Sequence, residues 1–441
     1  MLQAAHDLRC GGCTVIVSSL LLLLLLGVPI AAAFALVVIA NADAWNIDPF
    51  SLAAMPFDTV SNFSLLAIPL FLFVGEMMNR GGLVRQLTAV CDLFMSGIRA
   101  PMGHIMVLAS ALMGAITGSS VATVAAIGGT VGVEMRQRGY PRGYTAALNA
   151  AAGLLGVLIP PSIPLILYGA IVGVSITNLF IASIVPGILI IIVFSLIHMV
   201  ISRRVLPGGQ EVLPKTAATA SGIGSIKKTS VVVRAVPALM LPVLVLGGIY
   251  SGVFTATEAA AVAGIYALAV TVLARQTSAN DLKKILEHAA LASAAILAII
   301  AFTSVFNRAM ILEQVPQSIT EIATGFTGSP ILFLLAVNVA LLLIGMFMET
   351  NAATLLMGPL LAPAAVNYGI DPVHFGVMLV TNIEIGLLTP PLAANLYVAQ
   401  RTNEAKLTEM FGFVMWFLGG ALVVLSLITF VPTLTTWYQF L

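Results

Sequence analysis

Residues Met102–Met135 read MGHIMVLASALMGAITGSSVATVAAIGGTVGVEM, an apolar stretch interrupted midway by Thr117-Gly118-Ser119-Ser120. Both flanks are basic, with six arginines across residues 80–99 and 136–142. Because Lys and Arg collect in cytoplasmic loops, both ends of the stretch should lie on the cytoplasmic side. Each arm has about 16 residues, or about 24 Å of helix, against a hydrocarbon core of about 30 Å. The stretch therefore predicts a re-entrant hairpin whose hydroxyl-rich tip stops inside the membrane.

The composition of the whole chain is that of a membrane protein. Of its 441 residues, 60% are hydrophobic and 8% are charged, whereas a soluble domain carries roughly 25% charged residues. The apolar runs have the length of membrane helices and do not alternate as barrel strands do. We predict an all-α polytopic membrane protein in a lipid bilayer. The net charge of +1 gives no basic face that would indicate binding to nucleic acid.

Two pairs of prolines interrupt predicted helices that follow hairpin-like regions. Residues 144–176 are long enough to cross the membrane but contain Pro160-Pro161, and residues 374–400 are broken at Pro390-Pro391. Adjacent prolines remove two amide donors and leave upstream carbonyl groups without partners. Such a break survives in lipid only where protein or a water-filled cavity satisfies these groups. The freed carbonyl oxygens are natural ligands for a hard cation.

The second half of the chain repeats the order of elements in the first half. A second apolar hairpin is predicted at residues 330–364, with its interruption at Glu349-Thr350-Asn351. The spacing between tip and break is preserved, with 40 positions from Ser120 to Pro160 and 39 from Asn351 to Pro390. This agreement predicts an internal repeat.

The charge around the second hairpin is opposite to that around the first. Residues 307–329 contain only Arg308 as a basic residue, and residues 365–373 contain no Lys or Arg. The second hairpin should therefore open to the periplasm. Two similar units of opposite orientation form an inverted-topology repeat, which places substrate and ions at the repeat interface.

These signals divide the chain into segments. We predict nine full crossings, a cytoplasmic N-terminus and a periplasmic C-terminus. The segments are a cytoplasmic tail at 1–13, scaffold helices at 14–79 and 235–306, a first repeat at 80–201, a cytoplasmic loop at 202–234, a second repeat core at 307–400, and a terminal arm and helix at 401–441.

Neutral polar residues cluster at both tips and both breaks, which should converge near the membrane midplane. Hydroxyl and carbonyl oxygens suit Na⁺, and exposed half-helix N-termini suit a carboxylate. Small residues also pack membrane helices, and we favour that role for Gly114, Gly128 and Gly129. The candidate functional positions are Thr117, Ser119, Ser120 and Thr123 at the first tip; Asn149, Gly153, Gly156 and Ser162 at the first break; Thr350, Asn351 and Thr354 at the second tip; and Thr381, Asn382, Gly386, Thr389 and Asn395 at the second break.

Two acids, Glu349 and Glu384, lie within predicted membrane segments. An acid in the membrane is a functional candidate. Glu349 either coordinates a cation or titrates, or it is bonded to backbone at a helix end, and the sequence leaves both readings open. For Glu384 we favour the backbone-bonded reading.

Several motifs of other function classes are missing from the sequence. It has no Gly-Lys dipeptide and hence no Walker A loop, and neither His-Glu-x-x-His nor Gly-x-Ser-x-Gly. Cys10 and Cys13 form a C-x-x-C without the second pair that a structural zinc site needs. We therefore expect no enzyme and no cofactor. A secondary transporter is favoured, with a passive channel as the alternative.

Short motifs provide more specific information in combination. They are Ile68-Pro69-Leu70-Phe71, Gly75-Glu76-Met77-Met78-Asn79-Arg80-Gly81-Gly82, Gly118-Ser119-Ser120-Val121-Ala122-Thr123, Arg138-Gly139-Tyr140, Ile159-Pro160-Pro161-Ser162 and Leu388-Thr389-Pro390-Pro391. Together they resemble the large membrane subunit of tripartite ATP-independent periplasmic (TRAP) transporters, across about residues 14–438. The Met1–Cys13 tail is atypical of that family, and we expect the small subunit to be a separate chain.

The resemblance implies an Na⁺-driven symporter of the bacterial inner membrane with an elevator motion. Its implied partners are a small four-helix membrane subunit on a separate chain and a periplasmic solute-binding protein. Its substrates would be carboxylates such as C4-dicarboxylates, sialic acid or sugar acids. A stand-alone Na⁺/carboxylate symporter of the same architecture is the nearest alternative.

The family pattern also implies site residues. One Na⁺ site would use Ser119, Ser120 and the backbone around Gly153, Gly156 and Pro160, and another would use Thr350, Asn351 and the backbone around Gly386 and Thr389. Substrate would lie between the tips, near Ser119, Ser120, Ser162, Asn351, Thr354, Thr389 and Asn395.

Overall fold

The computed structural model consists of α-helices, and the residues that it describes include no β-strand. The all-α prediction is therefore confirmed. The predicted tail at 1–13, with Cys10 and Cys13, and most of the predicted loop at 202–234 lie outside the described residues. The described residues are 18–20, 22–23, 26–43, 48–95, 98–206, 228–274, 277–326, 328–391 and 393–440.

Seven helices in the described part of the chain are long and apolar enough to cross a membrane. The chain is accordingly a multi-pass membrane protein. One of the seven, Pro330–Phe347, is an arm of the second hairpin, so the prediction of nine full crossings stays a prediction. The other six are Phe63–Arg80, Arg142–Val172, Ile176–Val205, Ala256–Leu273, Ala279–Leu312 and Leu407–Phe430.

Four α-helices whose bounds the structure describes precede the first hairpin, and the third of them is continuous with a short 3₁₀ turn, so that the two form one apolar stretch. A short 3₁₀ turn at Phe63–Leu66, capped by the Asn62 side chain, leads into α3. The four helices are α1 (Ile30–Asn41), α2 (Pro49–Val60), α3 (Ala67–Arg80) and α4 (Leu83–Met95).

The first hairpin consists of α5 (Pro101–Thr117), α6 (Ser120–Gly128) and α7 (Val131–Gln137). Proline occupies the first turn of α5, where its missing N–H costs no hydrogen bond. Gly118 ends α5 with a φ of 61°, a left-handed conformation that glycine adopts without strain. The interruption at the tip therefore falls within the predicted Thr117–Ser120 motif.

The first broken helix consists of α8 (Arg142–Ala152), α9 (Leu155–Leu158) and α10 (Ile163–Val172). The proline pair lies between α9 and α10, and the Ser162 side chain caps α10. The helix ends at Val172 rather than at the predicted residue 176, because Gly173 has a φ of 81° and terminates it.

Four long helices connect the two repeats. The predicted loop bounds 202–234 are wrong at both ends, since α11 continues to Val205 and α12 begins at Lys228. Arg203 and Arg204 suit the last turn of α11, where cations interact favourably with the helix dipole. The four helices are α11 (Ile176–Val205), α12 (Lys228–Tyr250), α13 (Ala256–Leu273) and α14 (Ala279–Leu312).

The second half of the chain has the same order of elements. The second hairpin ends three residues beyond the predicted residue 364, and the second broken helix begins two residues before 374 and ends three after 400. The helices are α15 (Val315–Phe326), α16 (Pro330–Phe347), α17 (Thr350–Asn367), α18 (Pro372–Gly386), α19 (Ala394–Asn403), α20 (Leu407–Phe430) and α21 (Thr433–Thr436), followed by a 3₁₀ turn at Trp437–Phe440.

The second arm of each hairpin packs against the broken helix of the other repeat, so that the two repeats exchange arms. Helix α6 of the first hairpin packs against α19, and α17 of the second hairpin packs against α10. Tyr168 of α10 shows how closely the repeats pack, because its ring leaves no room for a Cβ at Gly376 of α18 and would lie 3.2 Å from a Cβ at Gly358 of α17. The Tyr168 hydroxyl donates a 2.8 Å hydrogen bond to the Pro372 carbonyl. Each repeat thus completes the packing of the other.

Candidate ion and substrate site at the hairpin tips

The first tip is docked onto the first proline break. The Gly118 carbonyl accepts a 3.2 Å hydrogen bond from the Ile163 N–H. A Cβ added to Gly118 would lie 2.8 Å from the Pro161 carbonyl oxygen. Ser119 begins α6 as its cap, because its Oγ accepts from the Ala122 N–H at 3.4 Å. Tip and break are therefore one packed unit.

Gly156, four residues before Pro160, provides the space for this docking. A Cβ at Gly156 would lie 2.6 Å from Thr123 Oγ1, 2.7 Å from the Ser119 carbonyl oxygen and 2.9 Å from the Ser120 Cα. The hydroxyls of Thr117 and Thr123 are 3.1 Å apart. The backbone of the tip thus lies directly on the broken helix, with hydroxyl and carbonyl oxygens close together.

The second tip is formed by Met348 and Glu349 between α16 and α17. The Glu349 carboxylate caps α17, because it accepts hydrogen bonds from the N–H groups of Asn351 at 3.1 Å and Ala352 at 3.4 Å. It also accepts a 2.6 Å hydrogen bond from the Asn351 side chain. The adjacent Thr350 is buried. The N-terminus of α17 is therefore already covered by a carboxylate.

A pair of glycine contacts repeats in the two halves. A Cβ added to Gly386, four residues before Pro390, would lie 2.7 Å from the Gly345 Cα of α16. In the first half, a Cβ added to Gly114 of α5 would lie 2.9 Å from the Gly156 Cα. The first arm of each hairpin thus packs on its own broken helix at the same position. This supports the packing role expected for Gly114.

A single carboxylate connects the two tips. Glu384 of α18 is fully buried. Its Oε1 accepts a 2.7 Å hydrogen bond from the Thr350 hydroxyl and a 3.4 Å hydrogen bond from the Ser120 hydroxyl. Residues from the N-terminal turns of α6 and α17, which are 230 positions apart in the sequence, therefore meet at one acid.

Several side chains near the tips and breaks, Asn395 and Thr354 among them, carry buried polar atoms without partners among the described residues. Both amide atoms of Asn395, in the first turn of α19, are unpaired. A Cβ added to Gly153 would lie 3.4 Å from Asn395 Nδ2, so Asn395 of the second repeat faces α8 of the first. The Thr354 hydroxyl is also unpaired. Buried polar atoms of this kind usually have a partner, which here includes any bound ligand.

The family was identified by comparison with known sequences. The family described as "Tripartite ATP-independent periplasmic transporter, DctM component" matches residues 17–434. The chain belongs to this family. It is a TRAP transporter large permease, as its sequence motifs predicted.

Named relatives of this TRAP permease span several solutes. The C4-dicarboxylate TRAP transporter large permease protein DctM of Pseudomonas aeruginosa is 38% identical over 87% of this chain and 88% of its own length. The sialic acid permease SiaM of Vibrio cholerae is 33% identical over 94% and 95%. The 2,3-diketo-L-gulonate permease YiaN of Escherichia coli is 34% identical over 87% and 88%. These relatives are named as transporter permeases, not as enzymes.

Two solved transporters share the fold at low sequence identity. The YdaH transporter of Alcanivorax borkumensis has a TM-score of 0.61 and 16% identity, covering 87% of this chain and 89% of its own. The MtrF protein of Neisseria gonorrhoeae has a TM-score of 0.54 and 15% identity, covering 87% and 84%. Both likenesses concern the fold alone.

The TRAP permease fold brings together some of the sequence-predicted residues and separates others. Ser119, Ser120 and Gly156 are in contact at the first tip. Gly386 contacts the first arm of the second hairpin instead of its tip. Of the remaining candidates, Ser162 caps α10, Pro160 and Gly153 line the first broken helix, and Asn351 and Thr389 are half-buried at the second tip and second break.

The expectation for Glu384 was wrong. It is not bonded to backbone at a helix end, because it lies within α18 and accepts hydrogen bonds from two hydroxyls of different hairpins. Its presence as an acid in a predicted membrane segment was the only sequence signal for a role, and no local pattern indicated its partners. Glu349, for which two readings were open, has the backbone-capping contacts of the second reading.

Proposed function

We propose that this TRAP permease catalyses Na⁺-coupled uptake of a small organic anion across the bacterial inner membrane. The anion is a carboxylate such as a C4-dicarboxylate, sialic acid or a sugar acid. It is received from a periplasmic binding protein, and a small four-helix membrane subunit completes the complex. The observation that carries the proposal is the meeting of the two hairpin tips at Glu384 of the second broken helix.

The chemistry of the tips supports an anion and a hard cation as ligands. The N-termini of α6 and α10 lie at the first tip and the first break, where the helix dipole favours negative charge, and the N-terminus of α17 at the second tip already holds the Glu349 carboxylate. The unpaired amide of Asn395 and the hydroxyl of Thr354 are available to a carboxylate. The first Na⁺ site is assigned to Ser119, Ser120, Gly153, Gly156 and Pro160, and the second to Thr350, Asn351, Gly386 and Thr389.

The interlocked repeats support an elevator motion. Each second hairpin arm is held by the broken helix of the other repeat, through contacts such as that of Gly128 with Thr402. A Cβ at Gly128 would clash with Thr402 Oγ1, so the two helices are in close contact there. The two hairpins and two broken helices therefore move as one body against the remaining helices.

Reconstitution tests the proposed function directly. Proteoliposomes containing this chain and its small subunit should accumulate a labelled carboxylate only with an inward Na⁺ gradient and the loaded binding protein. Replacing Na⁺ by K⁺ should reduce uptake to the level of empty liposomes. Uptake by this chain alone would instead identify a stand-alone symporter, and non-saturable uptake without Na⁺ dependence would identify a passive channel.

Cysteine labelling tests the proposed orientation. With the native cysteines replaced by serine, Gln137→Cys should react with an impermeant maleimide only from the cytoplasm and Asn367→Cys only from the periplasm. Both residues are exposed at the far ends of the two hairpins. They are better positions than the neighbouring Gly139 and Gly369, whose φ values of 94° and 74° disfavour a side chain. Reaction of both from one side would contradict the inverted repeat.

A further inference from the structure

One buried imidazole joins three elements of the first repeat. His198 of α11 is fully buried. Its Nδ1 lies 2.6 Å from the Tyr144 hydroxyl of α8, and its Nε2 lies 2.9 Å from the carbonyl oxygen of Ala100, the residue before α5. The entry of the first hairpin, the first broken helix and α11 therefore meet at a single ring.

The two partners of His198 fix its tautomer. A carbonyl oxygen can only accept, so Nε2 carries a proton and donates it to Ala100. Among the described residues no carboxylate forms an ion pair with His198, and an unpaired buried charge is costly, so the ring is neutral. Nδ1 is then an acceptor, and the Tyr144 hydroxyl donates to it.

Ala100 has a backbone conformation that needs support. Its φ of 54° and ψ of 54° lie in the left-handed region, which is unfavourable for a residue with a Cβ. Such a conformation persists only where the surrounding structure holds it. The hydrogen bond from His198 to the Ala100 carbonyl is one such contact. The ring also lies against the first turn of α5, because a Cβ at Gly103 would clash with it.

The second repeat has a related contact without the link to its hairpin. His374 of α18 is 230 positions after Tyr144, the same separation as that between Ser120 and Thr350. Its Nδ1 lies 2.6 Å from the hydroxyl of Thr435, which follows α20, while its buried Nε2 has no hydrogen-bond partner among the described residues. The start of each broken helix is thus bonded near the end of the next long helix, and the bond to Ala100 is an addition in the first repeat.

We propose that His198 is a positioning residue for the first hairpin tip and acts through the Ala100 carbonyl. The proposal rests on the transport function above, in which this tip forms part of the ion and substrate site. Helix α5 is continuous over 17 residues, or about 25 Å, with Ala100 before it and Gly118 after it. A change in the chain direction at Ala100 therefore displaces the tip. The same contact holds α11 to the hairpin, so the proposed moving body includes this helix.

Two substitutions that each retain the position of one ring nitrogen test the proposal. The amide N–H of His198→Gln reaches the position of Nε2 and can still donate to Ala100, whereas that of His198→Asn is too short to do so. The maximal uptake rate of a labelled carboxylate in proteoliposomes should fall about tenfold in His198→Asn, the scale of one lost buried hydrogen bond, and less than about threefold in His198→Gln. Adding Ala100→Gly to His198→Asn should restore most of the rate, because glycine adopts the left-handed conformation without strain.

A side chain that only fills space predicts a different result. It gives equal losses in the two His198 variants and no rescue by Ala100→Gly, and either outcome overturns the positioning role. His288→Asn makes the same substitution at an exposed position of α14 and should leave uptake within about twofold of the wild type.

A spectroscopic measurement separates this proposal from the proposed function. In ¹⁵N NMR spectra of the histidine-labelled full chain, the resonances that disappear in His198→Asn should belong to a ring with a proton on Nε2 and none on Nδ1. A proton on Nδ1 overturns the assigned contact. Absence of uptake by the wild type overturns the transport function instead, and the NMR spectrum then still decides whether His198 holds Ala100.

Discussion

Replacing Gly156 by alanine should abolish uptake. The added Cβ would lie within 3 Å of Thr123 Oγ1, the Ser119 carbonyl oxygen and the Ser120 Cα. Two of these are backbone atoms of the tip, so the tip itself must shift. Displacing a site by about 1 Å can reduce the rate of a precisely positioned step by about 100-fold. Initial uptake rates in proteoliposomes, normalised to reconstituted protein, measure this effect.

Gly412→Ala provides the matched control for this variant. Gly412 lies in α20 and has open space where a Cβ would be, so its replacement should leave uptake within about twofold of the wild type. Overpacking at Gly156 should also destabilise the fold by about 2 kcal/mol, which thermal unfolding in detergent would reveal. Wild-type uptake in Gly156→Ala would show that the first tip does not depend on contact with the broken helix.

The double variant Ser119→Ala, Ser120→Ala should weaken the dependence of uptake on Na⁺ while the protein remains folded. Each hydroxyl contributes about 1 kcal/mol as a ligand, so the Na⁺ concentration for half-maximal uptake should rise about thirtyfold. The measurement is a Na⁺ titration of the initial uptake rate at saturating substrate. An unchanged half-maximal concentration would remove the first tip from the ion site.

Loss of the helix cap is the alternative cause of an effect in this variant. Ser119 caps α6, and its replacement removes one hydrogen bond at the helix start. Ser175→Ala is a suitable control, because Ser175 caps α11 in the same way through the Asn178 N–H but lies away from the tips. It should show a similar small loss of stability and no change in the Na⁺ titration.

Local signals made most of the fold predictable. In this chain the two proline pairs and Gly118 beside Ser119 and Ser120 interrupt helices, so the first tip and both breaks were located from these residues. The ends of α10 and α11 were less predictable, because they depend on the conformation of Gly173 and on basic residues that extend a helix. The arginines that flank the first hairpin, and the scarcity of basic residues around the second, predicted opposite orientations for the two hairpins without any knowledge of their packing.

The candidate site was only partly predictable. Ser120 and Thr350 stood out because they are hydroxyl residues at predicted tips. Their common partner Glu384 did not, because its contact with Ser120 joins residues 264 positions apart and no local pattern encodes it. The partners of His198 are a second example, since this fully buried side chain lies between Tyr144 and the Ala100 carbonyl, both distant in sequence.

The exchange of hairpin arms has a consequence for biosynthesis. Helix α6 forms early in the chain, but its packing partner α19 is among the last helices to leave the ribosome. After insertion, the first half of the chain must therefore remain in the membrane with the small-residue surface of α6 uncovered until translation is nearly finished. Termination before α19 leaves this surface open, so truncated products should be recognised as unassembled by membrane quality-control proteases.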